Sequence, residues 1–239
     1  MCGIWAYLSK NNITETTLNE LKSKYLNIKG RGPENENFLL VNNNTIFGFN
    51  RLCIVDVSEE ANQPFVIKDE NRELYLMCNG EIYNKDSLIS NHALKCNSNS
   101  DCEPILHLYK KYGIEKTVDL LDGVFAFTIL DIDLIKKQGK LIACRDRIGV
   151  RPMFMGYNQN KEYGFASEIK GLTDVFDSIE VFTPGTIVTL TYDLENIDFK
   201  FMKQIFYPYD YETKLTDLDT IYPLIRYQFT ESVKKRLMS

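Results

Sequence analysis

A cysteine at position 2 puts a thiol and, once Met1 is removed, a free α-amine on one residue. A small second residue is the kind that permits loss of the initiator methionine. An α-amine has a reference pKa of roughly 7.7–8.0, far nearer neutrality than a lysine amine. The thiol, with a reference pKa near ~8.5, is partly ionised and strongly nucleophilic. Nucleophile and base then share one residue, the amine reaching the thiol proton through a water because direct contact is geometrically poor. The chemistry on offer is attack on a carbonyl. With Met1 retained, Cys2 is an ordinary buried thiol.

The other reactive residue types offer less. The chain has two histidines, His92 behind the polar Ser90-Asn91 and His107 in an apolar helical stretch, and neither is marked as a base for a Cys–His pair. Six cysteines stand at 2, 53, 78, 96, 102 and 144 without a C-x-x-C pair, and no histidine sits at ligand spacing, so no metal site is expected. Cys78 and Cys144 lie in apolar runs and read as buried structural residues. Asn79-Gly80 taken alone favours a type I′ hairpin turn. Asp101 stands where a helix N-cap would, and Arg51 alone reads as a surface charge. Three arginines in Arg145–Pro152 suggest ion pairs around core strands, with Asp146 and Glu168 as partners.

The elements that must position these residues follow from apolar spacing. Strands are expected at 3–8, 38–41, 45–49, 52–57 and 74–78, and again at 124–130, 140–144, 153–157, 163–166 and 186–191. Leu18, Leu21, Tyr25 and Ile28 mark a helix ended by Gly30-Arg31-Gly32-Pro33. Glu103-Pro104 open a second, carrying Ile105, Leu108, Tyr109 and Tyr112, and a short third spans about 114–121. Strands, helices, then strands without regular alternation predict an α+β fold with largely antiparallel sheets. From 193 to 216 the pattern loosens. Leu218, Ile221, Tyr222, Ile225, Phe229, Val233 and Leu237 then describe a helix with one apolar face that needs a cover.

The 239 residues suit one large domain or a domain with an appendage, and 44% hydrophobic with 26% charged residues is ample for a core. A net charge of −5 gives no reason to expect nucleic acid. Neither a membrane-spanning run nor a secretory signal is visible, so no membrane partner and a cytoplasmic location with reduced thiols are expected.

Eight segments together carry a resemblance: MCGI at 1–4, RGPEN at 31–35, RLCIVDV at 51–57, NGEIYN at 79–84, SDCE at 100–103, RDRIGVRPMF at 145–154, SEIKGL at 167–172 and TPGT at 183–186. The first five resemble the class II glutamine amidotransferases, and the last three make the chain similar to the glutamine-hydrolysing asparagine synthetases. The resemblance covers roughly the first 190 residues in the family's order. It implies the N-terminal-nucleophile hydrolase fold, a four-layer αββα sandwich, over residues 1–192. It implies hydrolysis of L-glutamine to glutamate and ammonia through a γ-glutamyl thioester on Cys2. Asn79 and Gly80 are then the oxyanion donors, which matters because amide hydrolysis builds charge on the carbonyl oxygen. Arg51 clamps the α-carboxylate, and Asp101, helped by Glu81, takes the α-ammonium. Leu52, Cys53, Ile54 and Val55 line the same wall.

The sequence departs from the family at Gly30, where histidine is usual, and at Glu34, where aspartate is usual. It also carries no Ser-Gly-Gly-Leu-Asp-Ser type phosphate loop, so residues 193–239 are expected to be a linker and the first helix of an ATP-pyrophosphatase synthetase domain that is absent. ATP and Mg²⁺ would belong to that domain, and the glutaminase step is expected to need no cofactor. Expected partners are L-glutamine, a synthetase domain in the same or another chain, and a possible second copy as a homodimer. Two other readings stand beside this one: an amidotransferase with another acceptor, such as a glucosamine-phosphate synthase or amidophosphoribosyltransferase, and a stand-alone glutamine-binding or regulatory module.

Overall fold

The structure, a computed structural model, describes residues 1–207 and 217–238; residues 208–216, the end of the loosely patterned stretch, lie outside the described residues. In chain order the elements are β1 (Gly3–Leu8), α1 (Glu15–Leu26), β2 (Asn35–Asn42), β3 (Thr45–Arg51), β4 (Phe65–Lys68), β5 (Arg72–Ile82), α2 (Lys85–His92), α3 (Glu103–Tyr112) and α4 (Ile114–Leu120). There follow β6 (Gly123–Asp133), β7 (Gln138–Arg145), β8 (Phe154–Tyr157), β9 (Tyr163–Ala166), β10 (Ser178–Val181), β11 (Thr186–Asp193), β12 (Lys200–Ile205) and α5 (Leu218–Lys235).

Two six-stranded sheets result, ordered β10-β8-β9-β1-β3-β2 and β12-β11-β7-β6-β5-β4. Neighbouring strands pair antiparallel, as in β1 with β3 and β5 with β6. Pleating sends alternate side chains to opposite faces, and that period builds the layers. Ile4, Ala6, Leu8, Phe47 and Phe49 meet Tyr75, Met77, Ala126, Leu141 and Val188 between the sheets. Leu74, Leu76, Cys78, Phe127 and Cys144 face the other way, onto Leu88, Ile105, Leu106 and Tyr109 of the α2–α3 layer. Trp5, Tyr7 and Ile46 take Leu21, Tyr25 and Ile28 of the α1 region on the opposite outside. This is the expected four-layer αββα sandwich.

Several local expectations are corrected. The apolar run 52–57 is a loop, because its peptide groups are taken by side chains instead of a neighbouring strand: Arg51 holds the Asp56 and Ser58 carbonyls and Glu34 accepts from the Cys53 N–H. Asn79-Gly80 is no turn, since β5 runs through it to Ile82. Asp101 caps no helix; Cys102 is the N-cap of α3 and makes no side-chain cap bond. The strands β4, β10 and β12 and helix α2 join those expected, and β12 extends its sheet past residue 192 by pairing with β11. Helix α5 buries no residue. It touches the sandwich near its end, through Lys235 to Asp122 at 2.6 Å and Arg236 over the Tyr83 ring. Among the described residues no helix is long and apolar enough to cross a membrane.

Candidate active site

Cys2 precedes β1 by one residue, and Asn79 lies near the end of β5, so the pleat decides where both point. Ile4, Ala6 and Leu8 face inward on β1, and Cys2 shares their parity and packs against the same core. Tyr75 and Met77 face inward on β5, which gives Asn79 the same direction. Both side chains line one cavity of about 60 Å³ at the mouth of the sandwich. Every expected site residue lines it except Cys53: Cys2, Arg51, Leu52, Ile54, Val55, Asn79, Gly80, Glu81 and Asp101. Neither histidine does.

The thiol is held by the loop after β3. Cys2 Sγ donates to Leu52 O at 3.5 Å and accepts from Leu52 N at 3.4 Å. Burial pushes this thiol up, while the Leu52 N–H, the chain terminus and Arg51 pull it back. Burial also lowers the terminal amine, carried here by Met1, and the cations Arg31 and Arg151 add to that. Arg31 fixes the start of the chain by donating from Nε to Cys2 O at 2.9 Å and pairing with Glu168 at 3.4 Å. Gly32 lets this loop lie against β3, for a Cβ there would sit 2.3 Å from the Arg51 carbonyl carbon. At Gly30 a Cβ would meet nothing within 4 Å.

Two donors face the cavity without a protein acceptor. Asn79 is 2% exposed, yet its Nδ2 has no hydrogen-bond partner. A buried amide donor left unmatched costs stability unless something else satisfies it. The second follows from the ladder. Phe125, opposite Gly80, gives its N–H to Asp146 Oδ2 and receives the Asp146 N–H on its carbonyl, both on the β7 side. The Gly80–Phe125 pair is therefore a non-hydrogen-bonded one, and the Gly80 N–H points away from β6 toward the cavity. A side chain at Gly80 would clash with Phe125 Cβ and Val124 O, each 2.9 Å away.

The ionic groups divide differently from expectation. Asp101 is buried and accepts from Ile82 N at 2.7 Å. Burial raises its pKa, with Glu81 adding to the rise against the local N–H groups. Arg51 uses Nη1 on Ser58 O and Asn62 Oδ1, each at 2.6 Å, and Nη2 on Asp56 O. Glu81 is paired with Arg151 at 2.6 Å. Arg151 departs from the scaffold role that its motif suggests: it lines the cavity, reaches Met1 Sδ with Nη1 at 2.5 Å and leaves a buried Nε unmatched. The rest of its motif holds backbone groups. Arg145 donates to the carbonyls of Gly149, Arg151 and Phe182, and Asp146 gathers the N–H groups of Gly149, Val150 and Arg151.

An αββα sandwich whose second residue is a half-buried thiol facing two unmatched N–H donors defines an N-terminal-nucleophile amidohydrolase in architecture. The chain belongs to the glutamine amidotransferase domain family, whose model matches residues 1–206. It is 37% identical over 231 residues to a probable glutamine-hydrolysing asparagine synthetase of Acanthamoeba polyphaga mimivirus, covering 88% of this chain and 40% of that protein. It is also 36% identical over 262 aligned positions to the asparagine synthetase of Mus musculus, covering all of this chain and 44% of that one. The chain thus spans less than half the length of these relatives. Among solved structures, the glutamine phosphoribosylpyrophosphate amidotransferase of B. subtilis superposes with a TM-score of 0.66 at 20% identity, covering 86% of this chain and 49% of that one. That likeness is one of fold.

Proposed function

We propose that this chain hydrolyses L-glutamine, with Cys2 as the nucleophile. Loss of Met1 frees the Cys2 amine and widens a cavity that Met1 now lines. The amine, working through a water, takes the thiol proton, and Sγ attacks the γ-amide carbon. The carbonyl oxygen becomes an oxyanion held by Asn79 Nδ2 and the Gly80 N–H. Collapse of this intermediate passes the proton to the leaving nitrogen, expels ammonia and leaves a γ-glutamyl thioester. Water, activated by the same amine, then releases glutamate and restores the thiol. Every step draws on groups of this chain, and the reaction needs no cofactor.

Asp101 takes the α-ammonium, an assignment supported by its burial without a paired cation. Arg51 takes the α-carboxylate with the N–H groups that do not hold the 52–62 loop, so it acts both as clamp and as loop anchor. Glu81 works on the ammonium only through its field, being paired with Arg151. The observation that carries this reading is the buried, unmatched Asn79 amide beside the thiol. The test is intact mass together with a glutaminase assay. Expected are a chain lacking Met1, stoichiometric glutamate and ammonia, and labelling of Cys2 by a thiol-alkylating glutamine analogue. Retained or acetylated Met1 in active protein would end the assignment of the base, and glutamine binding without turnover would leave a binding module.

The larger proposal is that the ammonia passes to aspartate activated with ATP and Mg²⁺ on a synthetase domain, as the names of the curated relatives suggest. The exposed face of α5, with Tyr222, Ile225 and Phe229 each at least 60% exposed, supports a covering domain. A cytoplasmic setting suits six free thiols. Adding the synthetase segment and measuring glutamine-dependent asparagine formation tests this; formation of a different amidated product would replace the acceptor.

A further inference from the structure

The Gly80 N–H lies between two neighbours on the outer edge of β5, and both are fixed by side chains. β4 pairs with β5 only as far as Phe65 opposite Leu76. Beyond that, Cys78, Gly80 and Ile82 present their peptide groups to the edge. The Ile82 N–H goes to Asp101. The Cys78 groups go to Gln63, whose Oε1 accepts from Cys78 N at 2.6 Å and whose Nε2 donates to Cys78 O at 3.2 Å. A primary amide offers the donor and acceptor of a peptide group, so this side chain supplies the ladder rung that β4 does not reach.

We infer that Gln63 is a positioning residue for the oxyanion donors, an inference that rests on the glutaminase reading above. It fixes the peptide immediately before Asn79, while Asp101 fixes the one two residues after Gly80. The two brackets aim the Gly80 N–H and the Asn79 side chain at the space beside Cys2. Gln63 is itself held: it is 5% exposed, and its carbonyl accepts from Asn37 Nδ2 of β2 at 3.0 Å. It also follows Asn62, which receives Arg51, so one short segment ties the pocket wall to the oxyanion strand. Gln63 touches no reacting atom in this scheme. It lines the same cavity, but both polar atoms of its amide are spent on Cys78, so it acts through where the donors stand, and donors misplaced by ~1 Å lose rate on the order of 100-fold.

The experiment is glutamine-hydrolysis kinetics on the full chain carrying Gln63→Met, which keeps length and removes both bonds. The expected result is a kcat lower by roughly 10- to 100-fold with KM moved by no more than about threefold. Alkylation of Cys2 by iodoacetamide, which needs no oxyanion hole, should keep its wild-type rate. In an Asn79→Ala background the Gln63→Met loss should shrink, because one of the two donors it aims is gone. A purely structural role would move KM, alkylation and thermal stability alike and would add in full to Asn79→Ala; that pattern overturns the inference, as does an unchanged kcat. Should Gln63→Met not fold, Gln63→Glu keeps the shape and the acceptor for Cys78 N–H but loses the donor, and the same kcat-selective loss is required of it. Wild-type turnover with unaffected variants sinks this inference alone. A wild-type chain that hydrolyses no glutamine sinks the glutaminase reading and this inference with it.

Discussion

Two regions of the molecule bring thiols and carboxylates together, and they differ in what is left for a ligand. At the N-terminal end of α3, ligand atoms of Cys96, Glu103 and His107 lie within 4.8 Å of one another. There the Glu103 carboxylate is engaged within the protein through both oxygens. Glu103 Oε1 accepts from Asn97 N at 2.8 Å and faces His107 Nε2 at 3.4 Å, while Oε2 accepts from Ser98 N and Ser98 Oγ. In the Cys2 cavity the residue types are no more reactive, but Asn79 Nδ2 and Arg151 Nε are buried without partners. The Gly80 N–H faces the same cavity. Residue type marks neither place as a site. Unmatched donors lining a cavity distinguish the second, because a buried donor without a partner costs stability that a bound species can offset.

If that contrast is sound, substitutions in the cavity should remove rate and spare stability. Cys2→Ala gives the largest effect: glutamate release falls to background while the melting temperature holds, measured by a coupled glutamate assay and calorimetry. Asn79→Ala comes next, with kcat expected to fall roughly 10²–10³-fold. Its melting temperature should stay level or rise, since an unmatched buried amide is deleted. A clear loss of stability there would mean that the amide is engaged after all. Asp101→Asn follows, with KM for glutamine raised by about tenfold or more, the order expected for losing a buried charge partner. The pH dependence has a definite sign. Burial raises the Asp101 pKa, so the native state holds this proton more tightly than the unfolded chain does. Stability is therefore lost as pH climbs from the unfolded carboxylate range through the raised native value, and Asp101→Asn should be the more stable protein at neutral pH. Glutamine affinity should move oppositely, rising as Asp101 ionises. Calorimetry and titration across mildly acidic pH check both signs.

How much of this was legible in the sequence depended on how far each signal reached along the chain. β1 was readable because six consecutive residues, Gly3–Leu8, are buried and the run is short. The run 52–57 looked equally strand-like, but its fate is decided by Arg51 and Glu34, whose reach a local pattern does not encode. β12 was missed because it is an edge strand with Lys200, Phe201, Met202 and Lys203 all exposed, so no alternation betrays it. Asn79, Gly80 and Asp101 were singled out only by the resemblance and line one cavity, and the competing local readings fail for tertiary reasons: β5 continues, and Asp101 turns to Ile82. Gln63 carried no local mark, and Arg151 only that of an ion-pairing motif. Their partners stand 15 and 70 residues away, at Cys78 and Glu81.

The engaged cluster supplies the smallest and opposite prediction. Burial pushes the Glu103 carboxyl up, but His107 and the N–H groups of Asn97 and Ser98 outweigh it and hold the pKa at about 2, below an ordinary 4.5. A depressed native pKa means stability that is present above about 4.5 and disappears as pH falls through about 2. Glu103→Gln offers one carbonyl oxygen where the carboxylate offers two, so its amide nitrogen must confront an N–H donor. The expected cost is on the order of 1–3 kcal/mol, read as a lower urea midpoint at neutral pH that converges on wild type in strong acid. Because Asp101 is fixed by Ile82 and not by Glu103, kcat per folded molecule should stay within about twofold, the usual size for a substitution outside the reacting constellation. A fall in kcat as deep as that of Asn79→Ala would show that the two regions are one functional unit, and the contrast between them would have to be given up.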